Sequence, residues 1–358
     1  AVGLLIGGIL IPIFGLMMIG DGSILDGLST LTTENPDKFK SMGGPTDPVP
    51  FYTIFTGMML VQLFYWGTNQ QIIQRALGAK DLKEGQKGLL LASFIKILGP
   101  LIVVLPGIIA YHLFQGNLES ADSAYPMLVK KVLPGAWVGF FAAVLFGAIL
   151  SSFNSVLNSS VTLFGIDVYK EHINKNADEK TIVKYGKTFG VFLAIASMFI
   201  APLIANAGSL FDYLQEINGI YSIPIFSIII VGYLTKRVPA IAAKIGLVSG
   251  CLLYIVSQFF MKDYFINKAL ETAKASGVTD QVALSLVKVQ AYPHFLDVMA
   301  ILFILNVVIM LIIGKIKPRE EPFVQQYTKQ VDITPWKYVK HAGIVICVIV
   351  IGIYVYFA

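Results

Sequence analysis

Residues 61–77 read VQLFYWGTNQQIIQRAL. They close an apolar run that begins at Phe51. Gln62, Tyr65, Trp66, Gly67, Thr68, Asn69, Gln70 and Gln71 all come before Arg75, the first charge. As one α-helix, 51–77 would extend about 40 Å at 1.5 Å per residue, against a bilayer hydrocarbon core of about 30 Å. The break at Gly67 therefore falls within or near the inner half of a membrane. Two readings follow. In one, a discontinuous helix lines a substrate site, as in secondary transporters. In the other, the helix ends at Trp66–Gly67 and the aromatics form an interfacial belt. Both require a bilayer.

Composition makes the same demand of the whole chain. Of 358 residues, 56% are hydrophobic and only 14% charged, with a mean hydropathy of +0.72. Soluble domains carry about a quarter charged residues. A disordered chain, a disulfide-stapled secreted scaffold and almost any soluble enzyme are excluded. Cys251 and Cys347 both sit inside apolar runs, and the four histidines have no ligand spacing, which argues against a disulfide framework or a thiolate metal site. Ala1 lies in an apolar run, and with no basic region ahead of that run the stretch is not expected to be a signal peptide. The chain reads as starting inside a helix, with N-terminal sequence missing.

Outward from 51–77, runs of about 20 apolar residues predict nine spans, at about 1–20, 51–77, 88–114, 134–164, 183–205, 211–234, 239–261, 294–314 and 340–358. The runs are continuous rather than alternating, so the fold class is an all-α polytopic membrane bundle and not a barrel. The loops at 75–87, 170–187, 236–244 and 315–340 hold 18 of the 27 Lys and Arg, whereas those at 38–40, 130–131 and 262–288 hold 8. The positive-inside rule then puts residue 1 towards the cytoplasm and residue 358 outside. Two outer loops carry structure of their own: 21–50, rich in Gly, Pro and Asp, and 263–290, which reads as helical and partly amphipathic.

Three more segments place polar groups where lipid would not tolerate them. Lys96, in LLLASFIKILGPLIVVLPGII, lies eight residues into its span; it either snorkels to the inner surface or faces a partner or a watery cavity. In LFGAILSSFNSVLNSSVTLF (145–164), Ala148, Ser151 and Ser152 share one helical face, continued by Ser155 and Ser159. Close helix packing explains small residues there; the sharper reading is an alkali-cation site of hydroxyl and carbonyl oxygens. In SLFDYLQEINGIYSIP (209–224), Phe211 and Gln215 share a face, with Gln215 innermost, and Asp212 and Glu216 share the adjacent face at the outer surface.

The segments FYWGTNQQIIQRALGAKDLKEGQKG, FIKILGPLIVVLPGIIAYHL, SSFNSVLNSSVTLFGIDVYKEHI and LFDYLQEINGIYSIPIF with GYLTKR strongly resemble the sodium/solute symporter family, above all its sodium/glucose and sodium/galactose cotransporters. The likeness runs from about residue 51 to 237 and continues more weakly to both ends. It implies a LeuT-type inverted-repeat fold in one transmembrane domain. Residues 1–237 would correspond to core helices five to ten and 238–358 to peripheral C-terminal helices, with the first four core helices missing.

The resemblance also implies site residues. Tyr65 resembles the aromatic that stacks under a sugar and closes the site from inside, and the likeness places Trp66 beside it and Asn69 in the same motif among the solute-binding residues. Gln62 stands where a polar side chain contacts the sugar, an Asn in the galactose transporter. Lys96 and Gln215 resemble the lysine and glutamine that bond sugar hydroxyls. Phe211 resembles an outer-gate aromatic. Ala148, Ser151 and Ser152 resemble half of a sodium site, whose other half belongs to the first core helix.

The expectation is therefore sodium-coupled symport of a hexose such as glucose or galactose, by a multi-pass protein of the plasma or inner membrane. Sodium is the coupling ion, and the partners are a small sugar and the lipid bilayer, with no call for nucleic acid. Within the family the alternatives are myo-inositol, proline, sialic acid, a carboxylate or an anion; outside it, a transporter-like membrane sensor. There is no HExxH, no intramembrane aspartate pair and no Ser/His pair within a span, so an enzyme is the least favoured reading.

Overall fold

The computed structural model describes residues 2–45, 47, 49–115, 117–118, 120–204, 210–325 and 331–358, with the backbone alone for Phe211 and Asp212. All regular structure among them is helical. In chain order the α-helices are α1 (Val2–Ile19), α2 (Ile24–Glu34), α3 (Gly57–Gly67), α4 (Gln70–Leu77), α5 (Leu82–Lys96), α6 (Leu105–Phe114), α7 (Ala124–Val132) and α8 (Gly135–Leu163). There follow α9 (Glu179–Ile204), α10 (Leu210–Leu234), α11 (Ala240–Val256), α12 (Lys262–Ala275), α13 (Gln281–Ala291), α14 (Phe295–Ile316) and α15 (Val339–Tyr356). π-helical turns interrupt the run at Pro100–Val104, Phe164–Ile173 and Ser257–Met261.

Among the described residues, eight helices are long and apolar enough to cross a membrane, where the sequence predicts nine spans. The difference is 51–77, which folds as a 3₁₀ turn (Phe51–Phe55) followed by α3 and α4, of 11 and 8 residues. Its Gly and Asn punctuation splits what hydropathy reads as one span. The segment 21–50 contains α2, which Ser23 caps by accepting from the Asp26 N–H at 3.3 Å. The predicted helical loop at 263–290 forms most of α12 and α13.

The contacts divide the chain into two compact units. The first holds residues 1–41, 74–210 and 333–358. Its core is Ile11, Leu16, Leu31, Ile108, Ile109, Leu128 and Phe141, from α1, α2, α6, α7 and α8. Here α1 approaches α8 so closely that a Cβ on Gly7 would stand 2.2 Å from the Phe141 ring. Further along, α8 packs on α9, with Phe164 stacked on Phe189 at 4.1 Å between ring centres. On α9, Phe192, Met198, Phe199 and Leu203 are 64–78% exposed, a surface suited to lipid and not to water.

The second unit holds residues 42–73 and 211–332. Its core joins Val61 of α3, Ile223 of α10, Tyr254 of α11 and Phe295, Leu296, Val298 and Met299 of α14. Asp297 in the first turn of α14 accepts from Tyr52 Oη at 2.8 Å and Thr56 Oγ1 at 3.4 Å, which holds the start of α3 in place. Deeper in the unit, buried Asn306 of α14 donates from Nδ2 to Ser227 Oγ at 2.5 Å, and Ser227 donates to the Pro224 carbonyl at 2.7 Å. This chain ties α14 to α10 at its proline. Asn306→Ala is expected to cost about 1–3 kcal/mol, the value of a buried bond plus its vacated volume. A lowered unfolding midpoint of the purified protein, read by thermal shift in detergent, checks it; an unchanged midpoint contradicts it.

Candidate functional site

The interruption after α3 is built by Thr68 and Asn69. Thr68 Oγ1 donates to the Phe64 carbonyl at 2.9 Å, and the backbone N–H groups of Thr68 and Asn69 converge on the same oxygen. Asn69 then starts α4: its Oδ1 accepts from the Gln71 N–H at 3.0 Å, and its carbonyl receives the Ile72 and Ile73 N–H groups. This is an N-cap, the role for which a short amide side chain is favoured. The chain thus breaks at Thr68–Asn69, just past the expected Gly67, which is the last residue of α3.

Before the break, α3 presents Gln62, Tyr65 and Trp66. Trp66 Nε1 donates to Gln62 Oε1 at 3.1 Å, and Gln62 Nε2 meets Met58 Sδ at 3.6 Å. The Tyr65 and Trp66 rings meet edge to face, 5.4 Å between centres and 83° apart. Tyr65 and Gln62 are exposed and Trp66 is half-buried. An apolar ring beside an oriented amide suits a ligand with an apolar face and a hydroxyl rim. Gln215, half-buried one turn into α10, belongs to the same unit. Its neighbour Glu216 is not left to water: it forms an ion pair with Lys262 of α12. The side chain of Phe211 lies outside the described residues.

Lys96, Ala148, Ser151 and Ser152 belong to the other unit. Lys96 is the exposed last residue of α5. Pro100, four residues on, has no N–H to give the Lys96 carbonyl, so the helix breaks and re-forms as a π-helical turn from Pro100. The pair Gly99–Pro100 is the sequence signal for this second interruption. On α8, Ala148 is half-buried, while Ser151 and Ser152 are exposed. Their hydroxyls bond to no described residue, whereas Ser160 and Thr162, two turns further on, return theirs to the carbonyls of Val156 and Asn158.

Residues absent from the expected set complete this face. Arg75 Nη2 donates to Ser155 Oγ at 2.5 Å, Gln74 Nε2 to the Ser155 carbonyl at 3.3 Å, and Asn158 Nδ2 to Gln74 Oε1 at 3.4 Å. With Ser151 and Asn154 they line an open groove of about 650 Å³ along α8. Arg75 is visible in the sequence as the first charge after the break, but nothing there indicates that it reaches α8.

Among the described residues, eight helices long and apolar enough to cross a membrane, two interrupted helices bearing polar residues, and the Ser151 and Ser152 hydroxyls that bond to no described residue together suit an integral membrane protein of the transporter class. Comparison with known proteins makes this specific. The model of the sodium:solute symporter family matches residues 1–250, and the chain belongs to that family, one of transporters and not enzymes. It is 46% identical over 354 residues to the uncharacterized symporter YidK of Escherichia coli (strain K12), a match covering 99% of this chain and 57% of the relative. It is 35% identical over 279 residues to a sodium/glucose cotransporter of Vibrio parahaemolyticus, covering 72% of this chain and 51% of that protein. It is 33% identical over 229 residues to sodium/myo-inositol cotransporter 2 of Homo sapiens, covering 59% and 34%. The chain therefore spans about half the length, or less, of these relatives.

Proposed function

We propose that this chain carries solute- and ion-binding residues of a sodium-coupled sugar symporter working by alternating access. The observation that carries the reading is the Gln62–Tyr65–Trp66 face, with Gln62 and Tyr65 exposed and Trp66 half-buried, oriented by the Trp66–Gln62 bond and set immediately before the helix interruption. The relatives named for glucose and myo-inositol cotransport support a ring-shaped polyol as the solute.

In this reading the C–H face of a pyranose stacks on Tyr65, and Gln62 and Gln215 bond its hydroxyls. The family resemblance adds Lys96 as a further hydroxyl contact, Asn69 and Trp66 beside the stacking ring, and Phe211 as an outer gate. Sodium is held by the hydroxyls of Ser151 and Ser152 and the Ala148 carbonyl, hard oxygen donors suited to an alkali cation. Sodium bound at α8 stabilises the state in which the solute contacts are complete, so each ligand raises the affinity for the other by the same factor.

Lys96→Ala in the full-length protein is expected to raise the hexose concentration for half-maximal uptake roughly tenfold or more, the worth of a charge-assisted hydrogen bond. Sodium binding without sugar stays unchanged. Labelled-hexose uptake at fixed sodium checks it, and an unchanged half-saturation removes Lys96 from the sugar site. A second reading, myo-inositol as solute, rests on the human relative and is favoured if unlabelled inositol competes better than glucose or galactose.

A further inference from the structure

We propose that Arg75 acts as a fixed positive charge that limits how tightly the α8 hydroxyl face retains its cation. This rests on the reading of Ser151 and Ser152 as sodium ligands. Among the described residues lining the α8 groove, Arg75 alone carries a formal charge; Gln74, Asn154, Ser155 and Asn158 are neutral. Its guanidinium is not adrift, because Nη2 donates to Ser155 Oγ at 2.5 Å. The helix bearing it is anchored by a neighbour: Gln74 donates to the Ser155 carbonyl and accepts from Asn158. Three bonds thus seat α4 on one turn of α8.

That turn is the next one along from the hydroxyl pair. Ser155 follows Ser151 by four residues, about 6 Å along the helix axis, and shares its face. Ser155 therefore holds a cation where its own hydroxyl would otherwise extend the oxygen-donor face. A guanidinium stays protonated at any working pH, so its repulsion of a cation beside Ser151 is permanent. Between like charges roughly 8 Å apart, at dielectric values between those of water and a protein surface, the repulsion amounts to roughly three- to tenfold in affinity. A transporter must release its coupling ion as well as bind it, and this charge is placed to favour release.

The test is equilibrium binding of ²²Na⁺ to the purified full-length protein, with Arg75→Gln, Arg75→Lys, Ser155→Ala and Ser152→Ala. Arg75→Gln is expected to bind sodium three- to tenfold more tightly, and Arg75→Lys as the parent does. Ser155→Ala, which releases the guanidinium but keeps its charge, is expected to shift in the same direction by a smaller factor. A purely structural clamp predicts weaker or unchanged binding in Arg75→Gln, and that result overturns the proposal while weakened binding in Ser152→Ala leaves the ion site standing. Unchanged binding in Ser152→Ala overturns the ion site and this inference together. If Arg75→Gln cannot be recovered folded, Ser155→Ala decides: unchanged or weaker binding rejects the electrostatic role.

Discussion

Replacing Ser152 by alanine is expected to raise the sodium concentration for half-maximal uptake about tenfold or more, equivalent to ~1.4 kcal/mol, with hexose affinity at saturating sodium little changed. What decides the effect is which hydroxyls of α8 are available. Ser160 and Thr162 spend theirs on the carbonyls of Val156 and Asn158, and Ser155 accepts from Arg75. Ser151 and Ser152 are exposed and bond to no described residue. An alkali cation at this face would draw on those oxygens, and a methyl group cannot replace them. Ser160→Ala is the internal control: it removes a hydroxyl from the same helix but one already bonded within it, so sodium dependence is expected to stay at the parent value. Equal shifts in both variants, or none in Ser152→Ala, would refute the assignment.

Gly57→Ala is expected to cost at least ~3 kcal/mol and to deplete folded protein after extraction, the behaviour of an overpacked contact. A Cβ at Gly57 would stand 1.8 Å from the Leu296 carbonyl oxygen, 2.5 Å from its carbon and 2.8 Å from its Cα. All three neighbours are backbone, so no side-chain rotation relieves the clash. The first turns of α3 and α14 must part instead, which opens the core made by Val61, Ile223, Leu296 and Met299 and pulls Thr56 from Asp297. Thermal unfolding and the yield of monodisperse protein measure the effect; an unfolding midpoint equal to the parent's would show that the helices are not in this contact.

Much of the architecture is legible in the sequence because lipid imposes a simple rule: long apolar runs become helices, and polar residues inside them stand out. The run 134–164 folds as α8 within one residue of that range. The polar stretch 61–77 marks a real interruption, since Gly67, Thr68 and Asn69 are poor helix continuers whatever they contact. What the sequence hides is decided by neighbours. The length of 51–77 suggests a span, but Thr68 and Asn69 turn their side chains onto backbone groups and divide it. Asn69, expected as a solute contact, uses its Oδ1 to start α4, a role that spacing from an aromatic pair does not reveal. Glu216 reads as a solvated surface acid until Lys262, far along the chain, is folded against it. Arg75 reads as a cytoplasmic charge of the kind that sets topology; only the fold carries it to Ser155. The contacts of Thr68 and Asn69 are local ones that spacing does not announce; those of Glu216 and Arg75 are long-range contacts made by residues with an adequate local explanation.

The most direct test of the central claim is uptake of labelled glucose and galactose by proteoliposomes containing the full-length protein, under an inward sodium gradient and under an equal potassium gradient. Coupled sugar symport predicts accumulation with sodium that unlabelled hexose suppresses and that potassium does not support. Equal uptake in potassium, or sodium-dependent flux indifferent to hexose, would contradict it.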